Sequence, residues 1–314
     1  MATFTAHTAI GQREDLSDVI YNISPTETPL LNTLARSKAT AVYHEWQTDS
    51  LTAVNTSNAA VEGADASSAT LSPTTRLGNY CQIVQKTIQV SGTLDSVNKA
   101  GRKSEKAYQL ARASSELKRD IEGILCSNQA SSAGSSSVAR KLGSVLAWLD
   151  SNTSVGTDGA DPTTIGSTAR TDGTVREFTE TLLKTVIASV YTNGGMPKVL
   201  MVGAAGKQKV STFAGIAQQR YMAPADAPTT IIGAADIYLS DFGSVSVVPN
   251  RFMRARDALV LDPEYAAIAY LRPFATNELA KTGDSDKTQI LAELTLEMRN
   301  EAAHGGVFDL DMAL

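Results

Sequence analysis

The chain has 314 residues, a formal net charge of −5 and only 19% charged residues. That length suits about two domains or one elaborate one, and 42% hydrophobic residues can build a real core, which excludes disorder of the chain as a whole. The acidic balance argues against a protein that grips phosphate backbones, a task that needs a basic surface, while leaving room for one that encloses nucleic acid without holding it.

Residues 1 to about 37 offer helix only in pieces, at 14–20 and again around Leu30 and Leu31. Pro25 and Pro29 prevent a continuous helix, although Pro29 suits a first turn ahead of Leu30, Leu31 and Leu34. This stretch reads as an arm that lies across something. From Ala41 the period becomes two: Val42, His44 and Trp46 alternate with Tyr43, Glu45 and Gln47, as in a half-buried strand. A second strand-like run at 80–90 contains Ile83 and Ile88 and follows about thirty residues rich in Ser, Thr, Ala and Asn. The two runs predict a long hairpin with a flexible end, which has too little apolar area to be stable alone in water.

The clearest helix is predicted over 104–128, where Leu110, Leu117, Ile121 and Ile124 keep helical spacing and Arg112, Glu116, Lys118, Arg119 and Glu122 fall on the other faces. Residues 127–173 read as an inserted loop anchored by one apolar patch at 145–149. Thr174 and Glu177 fit a capping box, opening a second helix through Phe178, Leu182, Val186 and Val190 that ends at Asn193-Gly194-Gly195. A buried strand at 198–202, a glycine turn and a short helix reaching 213–216 come next, then strands at 237–239, 244–248, 258–261, 268–271 and 294–298. One helix-strand unit followed mostly by strands is an α+β pattern.

Motifs for chemistry are weak. Gly203-Ala-Ala-Gly-Lys207-Gln208 follows a strand, but a phosphate loop needs four residues between its glycines and a hydroxyl where Gln208 stands. Ser96 with Lys99, and Ser115 with Lys118, match a serine-x-x-lysine pattern, and Lys281-Thr282-Gly283 its companion, yet Ser-Asp-Asn is absent from the sequence. His44-Glu45 begins like a zinc-protease helix, but the segment alternates like a strand and Thr48 occupies the second histidine position. His7, His44 and His304 each sit in a setting that suits a structural role, and Cys81 and Cys126 have no close-spaced partner for a metal site. The basic cluster Lys99, Arg102, Lys103 and Lys106 is followed by acidic residues and lacks interleaved aromatics for single-stranded nucleic acid. The sequence therefore predicts no enzyme, cofactor or metal, and neither a membrane span nor a secretion signal.

An arm, a long ribbon with a loose tip, a long helix and a compact α+β remainder, in that order, resemble the major capsid proteins of tailed bacteriophages. Residues 14–30, Glu-Asp-Leu-Ser-Asp-Val-Ile-Tyr-Asn-Ile-Ser-Pro-Thr-Glu-Thr-Pro-Leu, are similar to the start of one branch of that family. The resemblance implies an HK97-like major capsid fold of the α+β class. It places an N-arm at 1–37, an extended E-loop hairpin at 38–95, a peripheral domain at 96–174 with a spine helix at about 99–129 and an inserted loop, an axial domain at 175–255, and a return to the peripheral domain at 256–314. It further implies a structural subunit that self-assembles into pentamers and hexamers of an icosahedral head. Subunit contacts would run through Leu16, Val19, Ile20, Pro25, Pro29, Leu30, Val42, Trp46, Ile83 and Ile88. The implied setting is the virion, assembled in the host cytoplasm around double-stranded DNA. Portal and decoration proteins are the implied partners, with a separate scaffolding protein or none because the sequence opens at the arm. A serine-type hydrolase and a fibre or adhesin protein are the alternatives; the second would usually carry a repeat, which the sequence lacks.

Overall fold

The computed structural model describes residues 27–63, 65, 68, 71, 73–97, 101, 104–213 and 236–312. The chain begins with a short helix, α1 (Pro29–Thr33), and a short strand, β1 (Ala35–Lys38). Strands β2 (Tyr43–Thr48), β3 (Thr75–Tyr80) and β4 (Gln82–Ser91) lead through α2 (Gly92–Ser96) to the long helix α3 (Glu105–Cys126). A single turn, α4 (Val145–Trp148), and two short strands, β5 (Thr153–Ser154) and β6 (Arg176–Glu177), precede α5 (Glu180–Thr192), β7 (Val199–Val202) and α6 (Ala204–Val210). The remainder is mostly strand: β8 (Ile237–Ser240), β9 (Gly243–Pro249), β10 (Ala258–Leu261), β11 (Ala266–Leu279), β12 (Ser285–Met298), β13 (Gly305–Val307) and β14 (Leu310–Asp311).

Two sheets organise these elements. One has four strands in the order β1-β11-β12-β4, and the other six in the order β5-β13-β10-β7-β9-β8. The centre of the six-stranded sheet is buried on both faces, which is why β7 and β10 read as continuous apolar runs. Side chains alternate across it. Val199, Met201, Leu259 and Leu261 join a core with α1, α3, α4 and the four-stranded sheet. Leu200, Val202, Ala258 and Val260 join a second core with α5, Val210 of α6, and Phe213. The sheet is thus the wall between two hydrophobic cores.

Helix α3 has 22 residues, about 33 Å at ~1.5 Å per residue. Ser104 caps it by accepting from the Ala107 N–H at 3.3 Å. Its buried stripe is Ala113, Leu117, Ile121, Leu125 and Cys126, packed on the four-stranded sheet and α1. Alternate residues of β4 face it: Val84 and Val90 are buried, and Lys86 reaches Glu116 at 2.6 Å. That bond is the main cause holding the Glu116 carboxyl below its ordinary value.

Four expectations from the sequence need correction. The run at 80–90 does not pair with 42–47. Instead β2 pairs with β3, the chain passes through buried Cys81, and β4 pairs with residues 285–294 of β12. The six residues of β2 cannot satisfy so long a partner, whereas β12 offers a ladder and α3 a surface for the apolar face of β4. The capping box at Thr174 does not form: residues 176–177 pair in parallel with β14, and the helix starts at Glu180. The segment 127–173 is more than a loop on one patch, since α4 lies wholly buried in the main core and β5 extends the six-stranded sheet. Finally, the strands expected at 268–271 and 294–298 are the buried ends of β11 and β12, 14 residues each. The outer part of that pair, Arg272 to Leu279, is exposed and mixes polar with apolar residues, with a register shift around Pro273, so its alternation is invisible in the sequence.

His304 sits beside β13, fully buried, where its Nδ1 accepts from the Asp262 N–H at 3.2 Å. Burial pushes its imidazole down to about 4. An unfolded histidine, near ~6.5, binds a proton the folded one refuses between about pH 6.5 and 4, so folding stability falls as pH drops through that window, by about 3 kcal/mol. In His304→Asn, which keeps a short acceptor, this contribution is gone. Urea melts of the dissociated subunit at neutral and acid pH should therefore show the gap between wild type and variant narrowing toward acid, and a constant gap would contradict the assignment.

Candidate subunit interface

The β2–β3 ribbon is built to be firm at its base and free at its tip. Buried Asn79 fixes the base: its Nδ2 donates to the carbonyls of Gly143 (3.1 Å) and Leu296 (2.9 Å), and its Oδ1 accepts from the Gly143 N–H (2.8 Å). Next to it Trp46 packs on Trp148 with ring centroids 5.2 Å apart, and Tyr43 tilts against Tyr80 at 4.6 Å. His44 lies 3.4 Å from Glu297 Oε2, the same oxygen that takes the Ser37 hydroxyl. Burial alone would raise the Glu297 carboxyl, but the bonds from Ser37 and Arg299 outweigh it and hold it below the usual range. Beyond Thr48 all described residues up to Asp65 are exposed, including Leu51 at 98%, Val54 at 91% and Val61 at 79%.

The start of the described chain is pinned by a buried carboxylate. Glu122 of α3 accepts from the Leu30 N–H (2.7 Å) and the Leu31 N–H (2.9 Å), the free donors of the first turn of α1, and from Asn250 Nδ2 (2.6 Å). Burial raises its pKa against these three donors. Glu122 was expected on a solvated face, and its full burial is explained by this cap.

A second buried anchor ties the 150–176 segment to the C-terminal strands. Asp309, with φ of 58°, accepts from the Gly156 N–H at 3.0 Å, the Gly173 N–H at 2.8 Å and Arg256 Nη2 at 2.8 Å. Burial would raise its carboxyl, but these donors prevail and lower it. A Cβ at Gly156 would lie 2.2 Å from the Thr174 carbonyl, so the cradle requires glycine there. Arg170 pairs with Asp161 and lies 3.3 Å over the Phe308 ring, while Arg254 and Arg256 both reach Asp172.

Of the residues expected at subunit contacts, Leu16, Val19, Ile20 and Pro25 lie outside the described residues. Leu30 is corrected: it is fully buried in its own subunit's core, beneath the Glu122 cap. Pro29 opens α1 and is partly buried, and Trp46 and Ile88 pack partly against the same core. Val42 and Ile83 are free to meet another surface, at 40% and 42% exposure. Asn79, Glu122 and Asp309 carried no sequence signal, because a lone polar residue reads as surface until its partners are known.

The weighed chemical motifs have ordinary roles. Lys207 donates to the Val247 carbonyl at 2.7 Å and to Asp236 at 3.0 Å, so it is not poised over a phosphate site. The Ser115 hydroxyl donates to the Ala111 carbonyl within α3. Burial pushes the Cys81 thiol up to about 11, which makes it a poor nucleophile. Among the described residues no cluster of His, Cys, Asp and Glu could hold a metal ion, and no helix is long and apolar enough to cross a membrane.

An anchored ribbon with an exposed apolar tip, a long helix against a four-stranded sheet, and a second sheet between two cores define the HK97-like capsid fold. The capsid of Cyanophage A-1(L) superposes with a TM-score of 0.67 at 13% identity over 98% of both chains. The capsid of a native GTA particle gives 0.63 at 12% identity over 98% of both chains, and the SrpI encapsulin of Synechococcus elongatus PCC 7942 gives 0.57 at 10%, covering 97% of this chain and 94% of that one. The model of the SU10 major capsid protein family matches residues 2–311, and the chain belongs to that family. The major capsid protein of Escherichia phage Phieco32 is 26% identical over 347 aligned positions, covering 97% of this chain and 96% of the relative. The chain is thus a major capsid protein, the structural subunit of a phage head.

Proposed function

We propose that the subunit assembles into pentamers and hexamers of an icosahedral shell that encloses double-stranded DNA, with the ribbon of each copy lying on a neighbour. The observation that carries this reading is the ribbon itself. Its base is fixed by Asn79 and Trp46, and its tip presents Leu51, Val54, Val61 and Leu71 almost fully to solvent. Apolar side chains displayed this way on a narrow ribbon are unfavourable in a lone subunit and favourable under another one. In this reading the N-arm covers 1–37 and the extended loop 38–95, of which β2 and β3 form the projecting ribbon while β4 lies on β12. Residues 96–174 with α3 as spine, together with 256–314, form the peripheral domain, and 175–255 form the axial domain. Val42 and Ile83 contribute to contacts between copies. A net charge of −5 lets the inner wall enclose DNA without adhering to it. Assembly in the host cytoplasm, with portal, scaffolding and decoration proteins as partners, belongs to the same proposal.

Deleting residues 53–70 should leave a folded subunit that does not assemble, because none of the described residues in that stretch belongs to a hydrophobic core of its own chain. Circular dichroism should match wild type while electron microscopy shows no shells. Shells at wild-type yield would refute ribbon docking, and loss of the fold would show that the tip belongs to the core.

A further inference from the structure

The tip of the ribbon and a groove beside α1 are chemically complementary. From Asp49 to Thr75 the sequence holds three acidic residues, Asp49, Glu62 and Asp65, and no Lys or Arg. The same stretch carries four apolar side chains at 79% exposure or more: Leu51, Val54, Val61 and Leu71. An acidic, apolar finger of this kind fits a basic, apolar socket.

Such a socket lies where α1, β1, α3 and β11 meet. Leu31, Tyr270, Pro273 and Phe274 line an open groove of about 520 Å³, and Arg36 and Lys118 stand over it. Both cations are exposed, and neither makes an ion pair among the described residues, whereas many other basic side chains are matched to a carboxylate. The Tyr270 hydroxyl is raised by burial and lowered by the neighbouring Arg36, which places positive potential over the groove floor. One wall is also an open sheet edge. Strand β1 pairs with β11 over Ala267 to Tyr270, so among the described residues the β11 edge from Arg272 to Leu279 has β12 on one side and no strand on the other.

We infer that this groove receives the ribbon tip of a second copy of the chain, with Arg36 and Lys118 pairing with Asp49, Glu62 and Asp65 while the exposed Pro273 and Phe274 cover its apolar side chains. The inference rests on the proposed docking of the ribbon and adds the address at which it docks. Buried under a neighbour, these ion pairs set register and partner choice more than bulk affinity.

Reciprocal charge reversal tests it in the full chain. Arg36→Glu with Lys118→Glu, and separately Asp49→Lys with Glu62→Lys and Asp65→Lys, should each lower shell yield by at least about tenfold at low salt, with unchanged circular dichroism. The chain carrying both sets should regain shells, and Arg36→Gln with Lys118→Gln should give an intermediate loss. Loss in both reversed sets without recovery in the combination would overturn the inference by giving the groove another occupant, such as residues 1–26, while leaving ribbon docking in place. Normal assembly of the groove variants would overturn it as well. Normal assembly of the tip variant, together with normal assembly of the 53–70 deletion, would remove the docking reading itself.

Discussion

Leu117→Asp should abolish folding of the subunit. Leu117 is 1% exposed and lies at the centre of the core shared by α1, α3, α4 and both large sheets. Truncating such a leucine typically costs about 2–5 kcal/mol through lost transfer energy and the cavity left behind. The carboxylate adds the penalty of burying a charge among apolar side chains. The sum meets or exceeds the ~5–15 kcal/mol by which a domain is stable. The variant should be insoluble or lack a cooperative thermal transition, whereas Leu117→Met, which conserves volume, should cost less than about 1.5 kcal/mol and still assemble. Soluble, assembling Leu117→Asp protein would mean that α3 presents a different face to the core.

What could be read from the sequence follows the range of the forces involved. The spacing of Leu117 and Ile121 marks α3, and alternation at 43–48 marks β2, because both are local periodicities imposed by a one-sided core. Strand partners are not local. Residues 80–90 look like the return strand of a hairpin because they follow β2 along the chain, yet their ladder is with β12, some 200 residues further on. Thr174 and Glu177 have the spacing of a capping box, but the Arg176 N–H is taken by the Asp309 carbonyl at 2.7 Å, and a strand forms where a helix turn was expected. For the interface the division is similar. The ribbon's need for outside support follows from composition alone. The burial of Leu30 does not, since it depends on a carboxylate 92 residues away.

The fold also explains how a subunit can be firm and still reach its neighbours. Polar side chains are buried where exposed segments leave the body: Asn79 at the ribbon and Asp309 under the 150–176 segment. In each case the side chain bonds backbone groups, Asp309 with Arg256 Nη2 as well, so it fixes the path of the chain and not merely its packing. Removing one partner of such a set leaves the others buried without a bond, which costs more than the bond itself contributes. Apolar packing supplies the bulk of stability, and these buried polar side chains decide where each extension emerges.

Glu122 gives the second large effect, because it holds the start of the described chain against the spine helix. In Glu122→Ala the N–H groups of Leu30 and Leu31 and the amide of Asn250 lose their common acceptor, and each is walled off from water by the surrounding core. At about 1–3 kcal/mol for a buried donor left without a partner, a total loss of about 3–5 kcal/mol is expected once local relaxation is allowed. Glu122→Gln keeps one carbonyl oxygen but turns an NH₂ toward the remaining donors, so it should fall between, at about 1–3 kcal/mol. Burial raises the Glu122 pKa, so the folded chain holds this proton more tightly than the unfolded one. Its contribution is fully present below the ordinary carboxyl value and declines as pH rises through the raised one. The penalty of Glu122→Gln relative to wild type should therefore shrink as pH rises through that window. Urea melts of the dissociated subunit measure these differences, and limited proteolysis reports the position, since the first cuts should move into 27–34 in Glu122→Ala while α3 stays protected. Equal stability of Glu122→Ala and wild type would show that α1 is held by Leu30 and Leu31 alone.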